Sequence, residues 1–207
     1  MNRGSAEVAE RVERVPGAAE ARPLAPVAAT DDTGPADGGC VEAAVNRAEK
    51  ERIYDEILAE VRYHIGKSSD PTARMATIVA LLASRLRHFF WTGFYLLRDG
   101  ELTVGPYQGP PACIVLPPHK GVCWAGIDRG EPVVVPNVHE FPGHIVCDGR
   151  ANSEIVVPLR DRLGRIVGVL DVDSADFESF DEIDVDRLQR ILALIYTEIR
   201  ISVLPPP

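Results

Sequence analysis

The chain has 207 residues, 45% of them hydrophobic and 26% charged, which suits one globular domain with length to spare. A formal net charge of −9 excludes the basic face of a nucleic-acid binder and the polybasic patch of a membrane-surface protein. Four scattered cysteines are too few for a disulfide-built secreted scaffold, and no apolar run nears the roughly 20 residues that span a bilayer.

The N-terminus lacks the apolar core of a secretory signal, and Glu7, Glu10, Glu13 and Glu20 interrupt the arginines that a transit peptide would need. A cytosolic protein with reduced thiols is the expected setting. Residues 1–45 are rich in Ala, Pro, Gly and Glu, and the first aromatic side chain is Tyr54. Such a segment cannot bury enough apolar surface to offset its ordering entropy, so it is expected to be disordered, Cys40 included. The folded domain is expected over residues 46–204.

Ile53, Ile57, Leu58, Val61 and Ile65 recur at helical spacing. Ser69-Asp70-Pro71 then supplies a cap and a first-turn proline for a second helix carrying Met75, Ile78, Val79, Leu82, Leu86 and Phe89. His64 and His88 are read as surface or packing residues of these helices. Strands are expected at 93–97 and 102–107, joined through Asp99-Gly100, and at 112–116 and 132–135, with a short helix or ordered loop over 121–129. Residues 137–152 have no periodicity and read as a long loop carrying His139, His144 and Cys147. Strands at 154–159 and 165–173 pair across a tight turn, and a helix is expected from 181 to 203, with Ile183, Leu188, Ile191, Leu192, Ile195 and Ile199 on its buried side. Helices at both ends of about six strands joined by tight turns predict an α+β domain on an antiparallel sheet.

Three cysteines fall in this domain. Any one of them could simply pack, as buried cysteines often do. Cys147, in the irregular loop beside His144, is the best placed to be reactive, because a nearby imidazole or helix N-terminus would favour its thiolate. Cys113, His119, Cys123, His139, His144 and Cys147 are also all zinc-competent, but they lack the tight C-x₂₋₄-C pair of structural zinc sites. The apolar run 166–170 reads as a strand buried on both faces. It leads into Asp171 and Asp173, which share one side about 7 Å apart. Such a pair either caps the following turn or, with Glu154 on the partner strand, forms a negative pocket that needs a cation or hydrogen-bond donors.

Seven segments together resemble the free methionine-(R)-sulfoxide reductase family, whose members are GAF-fold enzymes. They are Trp91-Thr92-Gly93-Phe94-Tyr95-Leu96-Leu97, Val104-Gly105-Pro106-Tyr107-Gln108-Gly109, Gly121-Val122-Cys123-Trp124, Val135-Pro136-Asn137-Val138-His139, Gly143-His144-Ile145-Val146-Cys147-Asp148, Ser153-Glu154-Ile155-Val156-Val157-Pro158-Leu159 and Gly168-Val169-Leu170-Asp171-Val172-Asp173-Ser174. The likeness runs from about Ala48 to Val203 and implies a single GAF-type domain. It implies Cys147 as nucleophile, Cys113 as resolving cysteine and Cys123 as an alternative resolver or auxiliary. It also implies Trp91 and Tyr95 as walls around the methyl-sulfoxide end, with Glu154, Asp171 and Asp173 as a polar floor. Departures are Val146 before the nucleophile and Asn137 in place of an acid. The implied chemistry passes through a sulfenic acid and a disulfide reopened by thioredoxin, and it needs no metal or organic cofactor. It leaves a homodimer open as the assembly. A non-catalytic GAF receptor for a small ligand and a thiol redox switch are the competing readings.

Overall fold

The computed structural model describes residues 47–197, so the expectations for residues 1–45, including Cys40, lie outside the described residues. Two helices open the domain, α1 (Arg47–Ile65) and α2 (Pro71–Arg85). Asp70 caps α2 by accepting from the Ala73 N–H at 2.7 Å, with Pro71 in the first turn. Strands β1 (Trp91–Arg98) and β2 (Glu101–Gln108) form a hairpin through Asp99-Gly100, and β3 (Val115–Leu116) pairs with β2. Helix α3 (Gly121–Arg129), β4 (Val133–Val135) and a short 3₁₀ turn (Val138–Glu140) precede a second hairpin, β5 (Ser153–Arg160) and β6 (Ile166–Ser174). Helix α4 (Glu182–Leu192) follows.

The sheet order is β3-β2-β1-β6-β5-β4, and all neighbours are antiparallel. Strand alternation sorts the side chains of its central strands onto two faces. Phe94, Leu96, Ile155, Val157, Leu159, Leu170 and Val172 pack with α1, α2 and α4 in one core. Trp91, Tyr95, Val156 and Val169 face the other way and pack with α3 in a second core. Helix α3 lies very close to the sheet: a Cβ on Gly126 would stand 2.8 Å from a Val156 methyl.

A polar cluster ties α1 to the start of α4. Lys50 donates to Asp184 at 2.5 Å and Asp181 at 2.9 Å, while the Tyr54 hydroxyl donates to Asp184 at 2.7 Å. Asp181 and Asp184 also form the capping box of α4. Lys50→Met is expected to destabilise the fold, because it leaves the buried Asp184 without its cation. Tyr54 and the Asp181 N–H still serve that carboxylate, so the loss is set at about 2 kcal/mol, below the usual cost of breaking a buried pair. Urea denaturation measures it, and a midpoint equal to wild type would count against the cluster as a fastener.

Three expectations change. The strand expected at 112–116 shortens to Val115–Leu116, because Pro110 and Pro111 have no N–H to pair and the Cys113 carbonyl is taken by the Tyr95 hydroxyl at 3.0 Å. His88 falls in a turn beyond α2, edge-on to Phe89 at 4.7 Å, rather than in the helix. The final helix ends at Leu192 instead of running on. The Arg74 guanidinium takes the carbonyls of Leu194, Ile195 and Thr197 at 2.7–3.1 Å, and Arg162 takes that of Tyr196 at 2.6 Å. Beyond Leu192 the backbone closes three-residue turns instead of the α-helical ladder, with Leu194 N–H donating to Ile191 O, Ile195 N–H to Leu192 O and Thr197 N–H to Leu194 O. Residues 198–203 lie outside the described residues. Among the described residues, no helix is long and apolar enough to cross a membrane.

Candidate active site

The second face of the sheet carries a pocket between α3, the 111–116 segment and the loop after β4. Its floor is set by register. Glu154 on β5, Asp173 on β6 and Trp91 on β1 stand in one cross-strand row, and Asp171 stands in the next, between Val156 and Gly93. Gly93 is required there. A side chain at that position would run into the Trp91 ring, which folds back over it. Trp91 in turn stacks on Tyr95, with ring centroids 5.9 Å apart, and on Tyr107 at 5.5 Å. The polar tips of the two pocket aromatics anchor the neighbouring segment: Trp91 Nε1 donates to Pro110 O at 3.1 Å, and Tyr95 Oη donates to Cys113 O.

Two of the three acids are almost wholly withdrawn from water, and Asp173 is half-buried. Glu154 is 5% exposed and Asp171 7%. Burial, reinforced by the neighbouring carboxylates, holds Glu154 and Asp173 well above the carboxylate range. Burial pushes Asp171 up to about 6, with the Glu154 and Cys123 side chains holding it from rising further. Burial therefore favours the protonated form at Glu154 and Asp173, and Asp171 is the one held closest to the ordinary carboxylate range. Its Oδ1 is buried and accepts no hydrogen bond from a described residue, so it is ready for a donor brought by a ligand.

The Cys113 and Cys147 sulfurs form a disulfide with Cα atoms 5.7 Å apart, and both cysteines border the pocket, Cys147 as a lining residue. Cys123 is a separate buried thiol on α3. Burial, then the charges of Asp171 and Glu154, push it far from its thiolate. The imidazole of His144, one of the two activators the sequence offers Cys147, sits 3.9 Å from Glu154, and burial lowers its pKa, which disfavours an imidazolium there.

The six candidate zinc ligands do not converge. Two are joined as the disulfide, His119 faces Asp128 at 3.0 Å, and His139 faces Asn152 at 2.9 Å. Among the described residues, the tight group of potential metal ligands is Cys123, Glu154 and Asp171, whose ligand atoms lie within 4.8 Å of one another.

Among the pocket members that sequence reasoning did not foresee are Lys120, Gly121, Asp148 and Ala151. Lys120 is the N-cap of α3, but its side chain makes no capping bond, so α3 starts without a side-chain cap where its first residues, Gly121, Val122 and Cys123, line the pocket. A helix start without an acidic residue, beside a lysine, is an electropositive end for a pocket whose other end is acidic. Asp148 is held near 2 by hydrogen bonds from Arg150. An uncapped helix start following Pro117-Pro118 was the one available signal.

Residues 68–197 match the GAF domain family. The chain is 44% identical over 144 residues to the free methionine-R-sulfoxide reductase of Escherichia coli, covering 70% of this chain and 87% of that protein. It is 40% identical over 152 residues to GAF domain-containing protein A of Dictyostelium discoideum, covering 73% and 95%. The solved free methionine-R-sulfoxide reductase of Neisseria meningitidis, in complex with its substrate, superposes with a TM-score of 0.69 at 37% identity, covering 72% of this chain and 90% of that one. With that likeness over nearly the whole relative, and an oxidisable cysteine pair at the mouth of an acid-floored pocket, the chain belongs to the free methionine-R-sulfoxide reductase family of GAF-domain enzymes.

Proposed function

We propose that this enzyme reduces free L-methionine-(R)-sulfoxide to methionine with Cys147 as the nucleophile. The observation that carries the reading is the Cys113–Cys147 bond at the mouth of a pocket floored by Glu154, Asp171 and Asp173. The Cys147 thiolate attacks the sulfoxide sulfur, and the sulfoxide oxygen passes to Cys147 as it gains a proton. Methionine leaves, and Cys147 becomes a sulfenic acid. Glu154 or Asp173 supplies the proton, since burial and the neighbouring carboxylates raise both and favour their protonated forms. The Cys113 thiol then displaces water from the sulfenic acid to give the disulfide, which thioredoxin reduces by exchange. Trp91 and Tyr95 enclose the methyl group.

The two ends of the pocket suit a zwitterion. Asp171, with its unpartnered oxygen, answers the α-ammonium, and the α3 N-terminus with Lys120 answers the α-carboxylate. A GAF receptor without catalytic activity would use the same floor but has no need of a cysteine pair at its mouth. Mixing the reduced enzyme with racemic free methionine sulfoxide is expected to remove the R epimer alone, and loss of both epimers or of neither would refute the assignment. Cys113→Ser is expected to consume about one equivalent per chain without a reductant and to leave a sulfenic acid on Cys147 that dimedone labels. Repeated turnover by that variant without added thiol would remove Cys113 from the cycle.

A further inference from the structure

Three apolar residues near the two bonded cysteines do not line the pocket. Ile114 and Val115 follow Cys113, and Val146 precedes Cys147; they are 70%, 46% and 64% exposed. Leu116 and Ile145, their immediate neighbours, turn inward and line the pocket, whereas these three face solvent. With the two cysteine Cα atoms 5.7 Å apart, they form an exposed aliphatic rim on the two segments that carry a single disulfide. Val115 also lies on β3, an end strand of the sheet whose outer edge has no strand partner among the described residues. A free strand edge offers backbone groups to an extended partner segment.

We propose that Ile114, Val115 and Val146 are the docking surface for a dithiol protein that reopens the Cys113–Cys147 bond. The inference rests on the redox cycle proposed above and adds the surface that serves it. The bond to be opened joins the two segments that carry the apolar rim, so a reductant that buries the rim brings its thiolate to the disulfide. A second copy of this chain seated there would cover the bond and block its reduction. In the exchange, a thiolate of the partner attacks one sulfur of the pair, the S–S bond breaks, and the displaced thiolate takes a proton from water. The partner's second thiol then displaces the remaining enzyme cysteine from the mixed disulfide. The enzyme sulfurs gain two electrons, and the partner departs as a disulfide.

The test uses the oxidised full chain without methionine sulfoxide and follows the appearance of enzyme thiols. Failure of the substrate assignment would therefore show only in the epimer assay. A double variant, Ile114→Ser with Val146→Ser, is reduced either by dithiothreitol or by a thioredoxin-type protein at subsaturating concentration. The rate with dithiothreitol is expected to stay within about twofold of wild type, and the rate with the protein to fall about tenfold, equivalent to about 1.4 kcal/mol. Leu163→Ser, an equally exposed apolar residue in the β5–β6 turn, is expected to change neither rate. A double variant reduced by the protein within twofold of wild type overturns the proposal, as does an equal loss with dithiothreitol. A wild-type dimer in sedimentation that the double variant abolishes would assign the rim to self-association instead.

Discussion

Cys147→Ser is expected to slow turnover of free methionine-(R)-sulfoxide by about a thousandfold or more, while the substrate still binds. Serine is nearly isosteric, so the pocket keeps its shape, but its hydroxyl is a far weaker nucleophile than a thiolate at neutral pH. Losing the attacking group of a concerted site commonly costs several orders of magnitude. None of the three acids, Trp91 or Tyr95 is displaced by the change, so the dissociation constant for substrate, measured by calorimetry with the reduced protein, should move by less than about threefold. Residual turnover above about a tenth of wild type would transfer the nucleophile's role elsewhere. Cys123 is a poor candidate to receive it, since it is buried and its environment opposes ionisation.

The second large effect concerns the amino-acid end of the substrate. N-acetyl-methionine sulfoxide and peptide-bound methionine sulfoxide carry a neutral amide where the free substrate carries an ammonium. Removing one partner of a buried charge pair costs on the order of 3–5 kcal/mol. Discounted for the open mouth of the pocket, this predicts that kcat/KM for the acetylated analogue is lower by roughly 100-fold, at about tenfold per 1.4 kcal/mol. Asp171→Asn is expected to weaken use of free substrate by a similar factor and to leave the poor rate on the analogue nearly unchanged. Equal rates on free and peptide-bound sulfoxide would dismiss the ammonium site.

The same residue should show the opposite effect on stability. Folding lifts Asp171 from 3.8 to about 6, so the native state binds a proton more tightly than the unfolded chain. That contribution to stability is complete below the unfolded value and is lost as pH rises through about 6. Above pH 7 the unliganded enzyme bears the cost of the buried charge, on the order of 2–3 kcal/mol. Asp171→Asn is therefore expected to melt at a higher temperature than wild type at pH 8, with the gap closing toward pH 4. A lower melting temperature at pH 8 would argue that the carboxylate is satisfied in the free enzyme.

Much of this site could be read before any coordinates. Asp171 and Asp173 declared themselves because charges two residues apart at the end of an apolar strand must share a face. The hairpin partner of that strand brought Glu154 into register with Asp173. Cys147 stood out because it lies beside His144 in a long loop without periodicity. The pairing of Cys113 with Cys147 came only from family likeness, since 34 residues of intervening chain fix no distance by themselves. Lys120 and Asp148 were not legible: their place in the pocket depends on how α3 and the loop close over the sheet. The end of α4 was misread for a related reason. Its apolar period continues beyond Leu192, but the chain there closes three-residue turns and meets Arg74, more than a hundred residues earlier.

The pocket floor and the cysteines are built on different parts of the molecule. The acids ride β5 and β6, whose alternate residues fill the opposite core, so a one-residue slip in either strand would exchange acid for aliphatic and ruin both faces together. The bonded cysteines sit on irregular segments, which tolerate change far better. On the function proposed above, recognition is thus locked to the architecture, while the redox chemistry is a detachable addition. A lineage that lost Cys147 and Cys113 would keep a receptor for the same amino acid, and one that acquired two loop cysteines over such a receptor would be a few substitutions from a reductase.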